Sequence, residues 1–388
     1  MPTPIPATQL APNPAVIHWI ENDLPCTAHW RSESGMPSPR RVVIADDRTT
    51  ADAAYRLACE GTAMLWRGDF QNARQLLQAM ARRCDRKIHK AANTPLDAFN
   101  FHRQAQSQRA RTLAMLLMPF DSGHTLPLRR APDVQAACNE AYGLADEPYV
   151  ASLRELLGLI GAHEWRKAGV EIAPLANRIH PHYGVFAPVR GEYVGLVAET
   201  PLPAKKMAFD IGTGTGVLAA VLAQRGMQHV IGTDQDPRAL ACAQENIHRL
   251  GLNSTIKVIH ADLFPPGRAD LIVCNPPWLP ARPSSPIEYA MYDPDSRMLR
   301  GFLDGLAAHL EVNGEGWLIL SDLAEHLGLR TRAALLEWIS AAGLTVLGRT
   351  DVRPIHPRAR DASDPLHAAR SAELTSLWRL GAGRIGTA

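Results

Sequence analysis

The chain has 388 residues, of which 46% are hydrophobic and 21% charged, and its formal net charge is +2. Its length suits two domains, and its composition is typical of a globular protein rather than of a disordered or fibrous one. Because the net charge is so small, the overall electrostatic field does not demand a nucleic-acid or membrane partner.

The cysteines and the N-terminus bear on where the protein works. The six cysteines are scattered without any C-x-x-C spacing, which predicts reduced thiols in a cytoplasmic protein. The first residues are rich in proline and lack the basic-then-apolar pattern of a signal peptide. No apolar run approaches the roughly 18 residues of a membrane span, and His180 and His182 are too few for a metal site. We therefore expect a soluble protein without metal or membrane contact.

Composition and periodicity divide the chain into four parts. Many prolines predict a loosely ordered arm, and apolar residues at helical spacing then predict a mostly helical domain, apart from a short strand at 42–44. An alternating pattern next predicts a β-hairpin, with Val170 and Ile172 in its first strand and Val185 and Phe186 ending its second. The predicted boundaries are 1–40 for the proline-rich arm, 41–168 for the helical N-terminal domain, 169–200 for the hairpin linker and 201–388 for the last domain.

The N-terminal domain carries a run of basic residues that has two interpretations. Ten lysines and arginines lie between Arg82 and Arg130, and only Asp85, Asp97 and Asp121 oppose them. The first interpretation is a solvated face with basic charges at helix C-termini. The second is a phosphate-contacting surface for RNA, although no aromatic-rich RNA motif accompanies the charges.

From residue 207 onward, short apolar strands alternate with helical patterns, which is the signature of a doubly wound parallel α/β sheet. The predicted strands are 207–211, 229–234, 255–260, 269–274, 316–321, 344–349 and 374–380. The predicted helices are 217–225, 237–250, 295–310 and 331–342. In such sheets, ligands bind beyond the carboxyl ends of the strands.

The stretch MAFDIGTGTG, residues 207–216, contains the first of these strands and the turn after it. Gly212, Gly214 and Gly216 follow the strand at alternate positions, and glycine is needed where a chain turns sharply and a ligand approaches the backbone. The helix that follows offers free N–H groups and the positive end of its dipole. The stretch therefore predicts a nucleotide-type ligand. Val217 stands where a dinucleotide fingerprint needs its third glycine, which argues against a NAD-dependent oxidoreductase.

Carboxylates follow the next two strands. Asp234 closes the second strand, where a carboxylate can accept both ribose hydroxyls of a nucleoside. Asp236 is predicted to cap the helix that begins at Pro237. Asp262 follows the third strand, in a position suited to binding an adenine amine.

The fourth strand leads into the tetrad Asn275-Pro276-Pro277-Trp278. Two prolines after a buried strand make a rigid turn with fixed φ. The side-chain carbonyl of Asn275 and the backbone carbonyl of Pro276 are acceptors, and Trp278 offers a flat face. This combination suits a planar –NH2 group, because the two acceptors can bond its two hydrogens. A nitrogen held in this way can attack an electrophilic methyl group, and such positioning supplies much of the rate of the reaction.

The glycine stretch, Asp234, Asp262 and the tetrad together resemble motifs of the class I S-adenosylmethionine (SAM)-dependent methyltransferases that modify planar nitrogens. That group comprises N6-adenine and N2-guanine nucleic-acid enzymes and the protein-glutamine N5-methyltransferases (HemK-like). The segment 161–199 is also similar to the hairpin and the F-x-P stretch that border the SAM pocket in the glutamine enzymes. The resemblance implies SAM as methyl donor and a Rossmann-like seven-stranded sheet with an antiparallel last strand.

The same resemblance implies the residues of the site. The catalytic residues would be Asn275, Pro276, Pro277 and Trp278. The cofactor-binding residues would be Phe186, Pro188, Asp210, Gly212, Thr213, Gly214, Gly216, Asp234, Asp262, Leu263 and Asn275. The glutamine enzymes usually carry tyrosine where this chain has Trp278. Asp210 is expected to organise the glycine turn.

Three functions stay open on the sequence. The resemblance favours methyl transfer to a glutamine side chain of a translation factor or ribosomal protein. The basic N-terminal residues favour an exocyclic base amine in rRNA or tRNA. A SAM-binding module without catalysis, acting as an RNA or ribosome adaptor, is the third, although the intact tetrad argues against it. Tyr292, Asp293 and Arg297 are candidates for acceptor contact or for helix capping.

Overall fold

The computed structural model describes residues 15–86, 92–189, 191–283, 288, 290–355 and 361–383. The chain forms two compact units. The first consists of Met1–Ile88 and Gln106–Gly161, and the second of His89–Ala105 and Ala162–Ala388. The boundary passes through two helices, α3 (Pro95–Leu113) and α5 (Leu153–Ala168), so the first half of α3 belongs to the second unit.

The first unit is built on a six-stranded sheet. Its strands are β1 (Val16–Glu21), β2 (Leu24–Trp30), β3 (Arg41–Ala45), β4 (Thr62–Trp66), β5 (Leu116–Phe120) and β6 (Tyr149–Ser152). Its complete helices are α1 (Ala51–Cys59), α2 (Phe70–Asp85) and α4 (Gln135–Tyr142). The strand order is β1-β2-β6-β5-β4-β3, with antiparallel pairing in β1–β2 and β5–β6 and parallel pairing elsewhere.

This sheet corrects the predicted domain boundaries. The proline-rich arm predicted over 1–40 is wrong from Val16 onward, because β1 and β2 form an antiparallel hairpin there. The helical domain predicted over 41–168 also contains β4, β5 and β6. Strands β4 and β5 are five-residue runs, apolar except for Thr62 and buried at every position, and periodicity cannot assign so short an apolar run to strand or helix.

The second unit contains the remaining elements. Its strands are β7 (Val170–Ile172), β8 (Asn177–Ile179), β9 (Met207–Ile211), β10 (His229–Asp234), β11 (Ile256–His260), β12 (Ala269–Cys274), β13 (Leu310–Ser321), β14 (Leu344–Val352) and β15 (Thr375–Ala382). Its complete helices are α6 (Glu192–Glu199), α7 (Val217–Gln224), α8 (Pro237–Arg249), α9 (Arg297–His309), α10 (Leu323–His326), α11 (Arg332–Ala341) and α12 (His367–Ala372).

Seven of these strands form one sheet in the order β11-β10-β9-β12-β13-β15-β14. The last strand, β15, is antiparallel to both of its neighbours, and the other pairs are parallel. The predicted Rossmann-like sheet with an antiparallel last strand is therefore confirmed. Strand β13 begins at Leu310, well before its predicted start at residue 316.

The hairpin before this sheet differs from its prediction in one strand. The first strand lies at Val170–Ile172 as predicted, but its partner is Asn177–Ile179. A tight turn with Ala176 in the left-handed region returns the chain early. Val185 and Phe186 consequently lie in a loop, and the hairpin belongs to the second unit rather than to a separate linker.

Strand register sets the location of the site. The central strand β9 places Ile211 opposite Thr233 of β10 and opposite Cys274 of β12. Successive side chains of β9 enter opposite cores, because Ala208 packs towards α7 and Phe209 towards α9. Burial on both faces explains why these strands are almost wholly apolar. The residues that follow β9, β10 and β12 therefore emerge side by side at one edge of the sheet.

Candidate active site

The turn after β9 brings its backbone close to two neighbouring elements. Gly212, Gly214 and Gly216 have φ values of +71°, +55° and +80°, in the left-handed region that glycine tolerates. A Cβ atom added at Gly216 would lie 3.3 Å from Cα of Ala243 on α8, and one added at Gly212 would lie 2.5 Å from the methyl group of Met298 on α9. Gly212 and Gly216 therefore leave little room for a side chain; we call residues 212–216 the glycine bend.

Asp210 holds the glycine bend from beneath. Its side chain is 1% exposed, and Oδ2 accepts hydrogen bonds from the Thr213 hydroxyl at 2.6 Å and from the Ala219 backbone N–H at 3.0 Å. Gly216 has no side chain to cap α7, so the Asp210 carboxylate satisfies one of the free N–H groups in the first turn. Burial raises the pKa of Asp210 to about 6.

Asp234 links the glycine bend to the end of β10. Its Oδ2 accepts from the Gly214 N–H at 3.0 Å, and its Oδ1 accepts from the Asp236 N–H at 3.0 Å. Burial raises the pKa of this carboxyl above its ordinary value. A carboxylate has about four lone-pair positions, so two remain for a ligand. Asp236 caps α8 through the Arg238 N–H, as predicted.

Asp262 and Leu263 lie beyond β11 in a strained turn. Asp262 is exposed, and its two oxygens accept from Gln235 Nε2 at 2.7 Å and from Arg297 Nη2 at 3.1 Å. Leu263 has a φ of +72°, which is unfavourable for a branched residue. Its carbonyl oxygen accepts the Thr233 hydroxyl at 2.6 Å, and this bond helps to hold the strained turn.

The side chains of Leu263 and the next residue, Phe264, contact helix α9 where it has no side chains. A Cβ atom added at Gly301 would lie 2.7 Å from Leu263 Cδ1, and one added at Gly305 would lie 2.5 Å from Phe264 Cε2. Two glycines one turn apart therefore let α9 approach the end of β11.

The tetrad after β12 lies beside the glycine bend. Because Cys274 pairs with Ile211, Asn275 and Gly212 leave adjacent strands at the same level. The indole N–H of Trp278 donates to Asn275 Oδ1 at 2.9 Å, and Trp278 packs against both core clusters. One lone pair of the carboxamide oxygen is thus used internally and the other is left for a ligand. Pro276 is buried and Pro277 is half-buried.

Phe186 and Pro188 lie in the loop between β8 and α6. Val185, just before them, packs with Ala239 and Cys242 on α8, the helix that follows Asp234. Pro188 is buried, whereas Phe186 is 40% exposed. The structure places this loop against α8, and its contact with a cofactor stays a prediction.

Asn246 and Asp293 position the site, and sequence reasoning missed the first. Asn246 on α8 is 1% exposed; its Nδ2 donates to the carbonyl oxygen of Thr215 in the glycine bend at 3.1 Å, and its Oδ1 accepts from the His180 N–H at 2.8 Å. A polar residue on the buried face of an amphipathic helix was the available signal. Asp293 accepts from the N–H groups of Met298 and Leu299, which confirms capping of α9.

Part of the basic run of the first unit is neutralised by ion pairs. Four arginines of the run pair with aspartates: Arg83 with Asp52, Arg109 with Asp85, Arg129 with Asp47 and Arg130 with Asp69, at 2.6 to 2.8 Å. Lys87 and Lys90 lie outside the described residues. These pairs support the interpretation as a solvated face rather than as a phosphate surface.

The described ranges hold neither a metal-binding cluster nor a helix that could span a membrane. There, no group of three or more His, Cys, Asp or Glu side chains is arranged to hold a metal ion. Every helix in those ranges also falls short of the length or the apolar character that crossing a membrane requires.

Replacing Asp210 with asparagine tests the cost of its buried charge. Unfolded aspartate titrates near pH 4, whereas burial raises the pKa of Asp210 to about 6. Between these values the folded state keeps a proton that the unfolded state has lost, so the free energy of unfolding falls as the pH rises. Asparagine does not titrate. We expect Asp210→Asn to gain roughly 3 kcal/mol at most over the wild type between pH 4 and pH 7, measured by urea unfolding. A constant difference would contradict this assignment.

Replacing Gly216 with alanine tests the packing of the glycine bend. Gly251 serves as the matched control, because its φ is +70° and an added Cβ would meet no atom within 4 Å. Left-handed alanine costs about 1 kcal/mol at either position. We expect Gly216→Ala to cost more than Gly251→Ala, because its methyl group meets Ala243, and thermal unfolding measures both. Equal losses would show that the bend does not pack tightly on α8.

Comparison with known proteins agrees with this geometry. The family model for the methyltransferase small domain matches residues 178–325. A release factor glutamine methyltransferase from Cereibacter sphaeroides is 33% identical over 178 residues, which cover 42% of this chain and 63% of the relative. A protein of the same name from Caulobacter vibrioides is 35% identical over 150 residues, which cover 36% of this chain and 52% of the relative.

The chain thus spans less than two thirds of the length of these relatives. A solved methyltransferase from Pyrococcus furiosus is 17% identical, with a TM-score of 0.39 over 58% of this chain and 98% of that one. The family match coincides with the glycine bend, Asp234 and the tetrad on the seven-stranded sheet. Residues 178–325 are therefore similar to the methyltransferase small domain family.

Proposed function

We propose that this chain is a SAM-dependent methyltransferase that methylates the side-chain amide nitrogen of a glutamine in a translation release factor. The observation that carries the proposal is the hydrogen bond from the Trp278 indole N–H to Asn275 Oδ1. It fixes the Asn275 carboxamide, whose oxygen accepts hydrogen bonds, beside the glycine bend. The acceptor class comes from the relatives, two of which are named release factor glutamine methyltransferase.

The residues at the carboxyl edge of the sheet fit SAM. The glycine bend offers bare backbone at Gly214, where an added Cβ atom would meet nothing nearer than the Gly212 carbonyl oxygen at 4.0 Å, so a ligand can approach it closely. Asp234 keeps two lone-pair positions for the ribose hydroxyls. Asp262 would take the adenine amine and Leu263 would line that end, while Phe186 and Pro188 would border the cleft. When bound, SAM supplies an electrophilic methyl group on a positively charged sulfur.

The tetrad would orient the acceptor nitrogen. A glutamine amide is planar and has two N–H hydrogens, which match the free lone pair of Asn275 Oδ1 and the carbonyl of Pro276. Trp278, fixed by its own N–H, would support the plane of the amide on its indole face. Asn275 therefore both holds Trp278 and orients the acceptor. Orientation of this kind can supply much of the rate without a strong base.

The charge distribution supports a protein acceptor over RNA. Phosphate binding requires basic side chains that are free to release counterions. Four arginines of the basic run in the first unit are instead paired with aspartates. An exocyclic base amine would fit the same tetrad, so the nucleic-acid alternative is decided by experiment.

The decisive assay incubates the full chain with methyl-labelled SAM and either a purified bacterial release factor or total RNA. We expect label in the release factor that survives RNase and is lost with protease, and mass spectrometry should place one added methyl group on a glutamine. Label confined to RNA would establish the base-amine alternative. SAM binding by calorimetry without any product would establish the adaptor alternative.

Two tetrad variants test the orienting role. Asn275→Ala should lower kcat about 100-fold, because the acceptor nitrogen loses the oxygen that orients it. Trp278→Phe keeps an aromatic face but removes the N–H that holds Asn275 Oδ1, so it should lower kcat by a smaller factor. Full turnover by Asn275→Ala in the release-factor assay would refute the proposed role.

A further inference from the structure

Helix α3 contributes its first half to the second unit, although the family match begins only at residue 178. Phe99 on this half is 3% exposed and packs with Leu323 and Leu327 of α10 in an apolar cluster. Leu279 and Tyr292, on the two sides of the segment that leaves the tetrad, pack against the same cluster. This half of α3 is therefore a wall of the methyltransferase unit on the side of the tetrad.

Arg103, one turn after Phe99, contacts that segment at three points. Its guanidinium carbon lies 4.3 Å from the ring centroid of Tyr292, and its Nη2 donates to the carbonyl oxygen of Arg282 at 2.5 Å. The carboxylate of Glu288 lies 3.7 Å away. The Arg103 side chain is only 24% exposed, so water screens these contacts weakly. A planar guanidinium can stack on a ring and bond in its own plane at once, whereas an ammonium group cannot.

Tyr292 belongs to a short backbone connection directly behind Trp278. The N–H of Leu279 donates to the carbonyl of Met291 at 3.3 Å, and the N–H of Asp293 donates to the carbonyl of Leu279 at 2.9 Å. We call Leu279, Met291, Tyr292 and Asp293 the acceptor-side bridge. Because Leu279 follows Trp278 in the chain and Asp293 caps α9, the bridge joins the tetrad to the start of that helix.

We propose that Arg103 is a positioning residue for the acceptor: by holding Tyr292 it fixes the acceptor-side bridge, and the polypeptide around the target glutamine docks against that bridge. This inference rests on the proposed function, because it assigns part of the same site to acceptor recognition. The Arg103 contacts are made to Tyr292, Arg282 and Glu288, none of which is among the residues proposed to hold SAM. We call the contact between Arg103 and Tyr292 the clamp. Loss of the clamp should therefore weaken acceptor binding and leave the affinity for SAM unchanged.

Substitutions at both partners separate the guanidinium from the ring. Arg103→Met keeps the apolar stem and removes the cation, and Arg103→Lys keeps the charge without the plane. Tyr292→Phe keeps the ring, and Tyr292→Leu removes it. Arg111→Met is the matched control, because Arg111 is an exposed arginine in the last turn of the same helix.

Three measurements on the full chain with SAM read the outcome. Hydrogen exchange at the amides of 291–293 reports the bridge, acceptor KM with a bacterial release factor reports docking, and calorimetry reports SAM affinity. A clamp worth about 1.4 kcal/mol corresponds to a tenfold change. We therefore expect Arg103→Met and Tyr292→Leu to raise both exchange and acceptor KM about tenfold, with SAM affinity and Arg111→Met unchanged. Tyr292→Phe should lie between the wild type and Tyr292→Leu, because it keeps the ring but loses the hydrogen bond of the hydroxyl with Arg103. Arg103→Lys should also be intermediate, and the double variant Arg103→Met with Tyr292→Leu should be no worse than the worse single variant.

Other results would overturn the inference in distinct ways. Unchanged exchange in Arg103→Met would show that Arg103 does not fix the bridge. Faster exchange with an unchanged acceptor KM would show that the bridge does not recognise the acceptor. Equal losses of SAM and acceptor affinity would indicate general disruption instead of positioning. A wild-type chain that leaves the release factor unmethylated would overturn the proposed function and the docking role with it, while the exchange rates would still decide the clamp.

Discussion

The buried carboxylate of Asp210 is the interaction on which the methyltransferase unit depends. Its removal from water is costly, and burial accordingly raises its pKa to about 6. Hydrogen bonds from Thr213 and Ala219 offset that cost and join the end of β9 to the first turn of α7. The Thr213 N–H in turn donates to the carbonyl of Thr233 at 2.8 Å, so the same residue ties the glycine bend to β10. A carboxylate that is costly to bury thus determines the shape of the glycine bend.

The glycine bend and the tetrad meet because of strand register rather than through any loop. Ile211 lies opposite both Thr233 and Cys274, so one level of the sheet delivers Asp234, the glycine bend and Asn275 together. The glycine bend and Asn275 are each fixed by a hydrogen bond to another side chain. Asn246 holds the glycine bend from α8, and Trp278 holds Asn275 from within the tetrad. Separate supports of this kind allow the glycine bend and the tetrad to vary independently.

The sequence predicts the second sheet well and the first one poorly, for physical reasons. Buried parallel strands alternate with amphipathic helices from β9 onward, and glycine or aspartate marks the strand ends. The hydrophobic periodicity and the turn residues therefore predict the same elements. In the first unit, β4 and β5 are short runs beside helices and are apolar except for Thr62, so no local signal separates strand from helix there. Strands β1 and β2 are hard to predict because they lie in or next to a proline-rich part of the sequence. Pro25 itself pairs with Ile20 in the hairpin.

The site shows the same limit. Asp234 and Asn275 are predictable because they end strands, and chain order alone brings them to one edge. Arg103 is not predictable, because the oxygen that it contacts lies 179 residues away along the chain. Asn246 is intermediate in predictability. A polar residue on the apolar face of a helix indicates a buried hydrogen bond, but only the fold shows its partners.

Gly301 and Gly305 have a consequence for how such a cleft diversifies. They receive Leu263 and Phe264, and so they set how near α9 comes to the strand ends. Neither glycine carries a group that could bind a ligand. Enlarging either residue would push the helix outward and widen the opening without altering one binding atom. Different residues therefore determine the width of the cleft and its binding atoms, so selection can change one while it preserves the other.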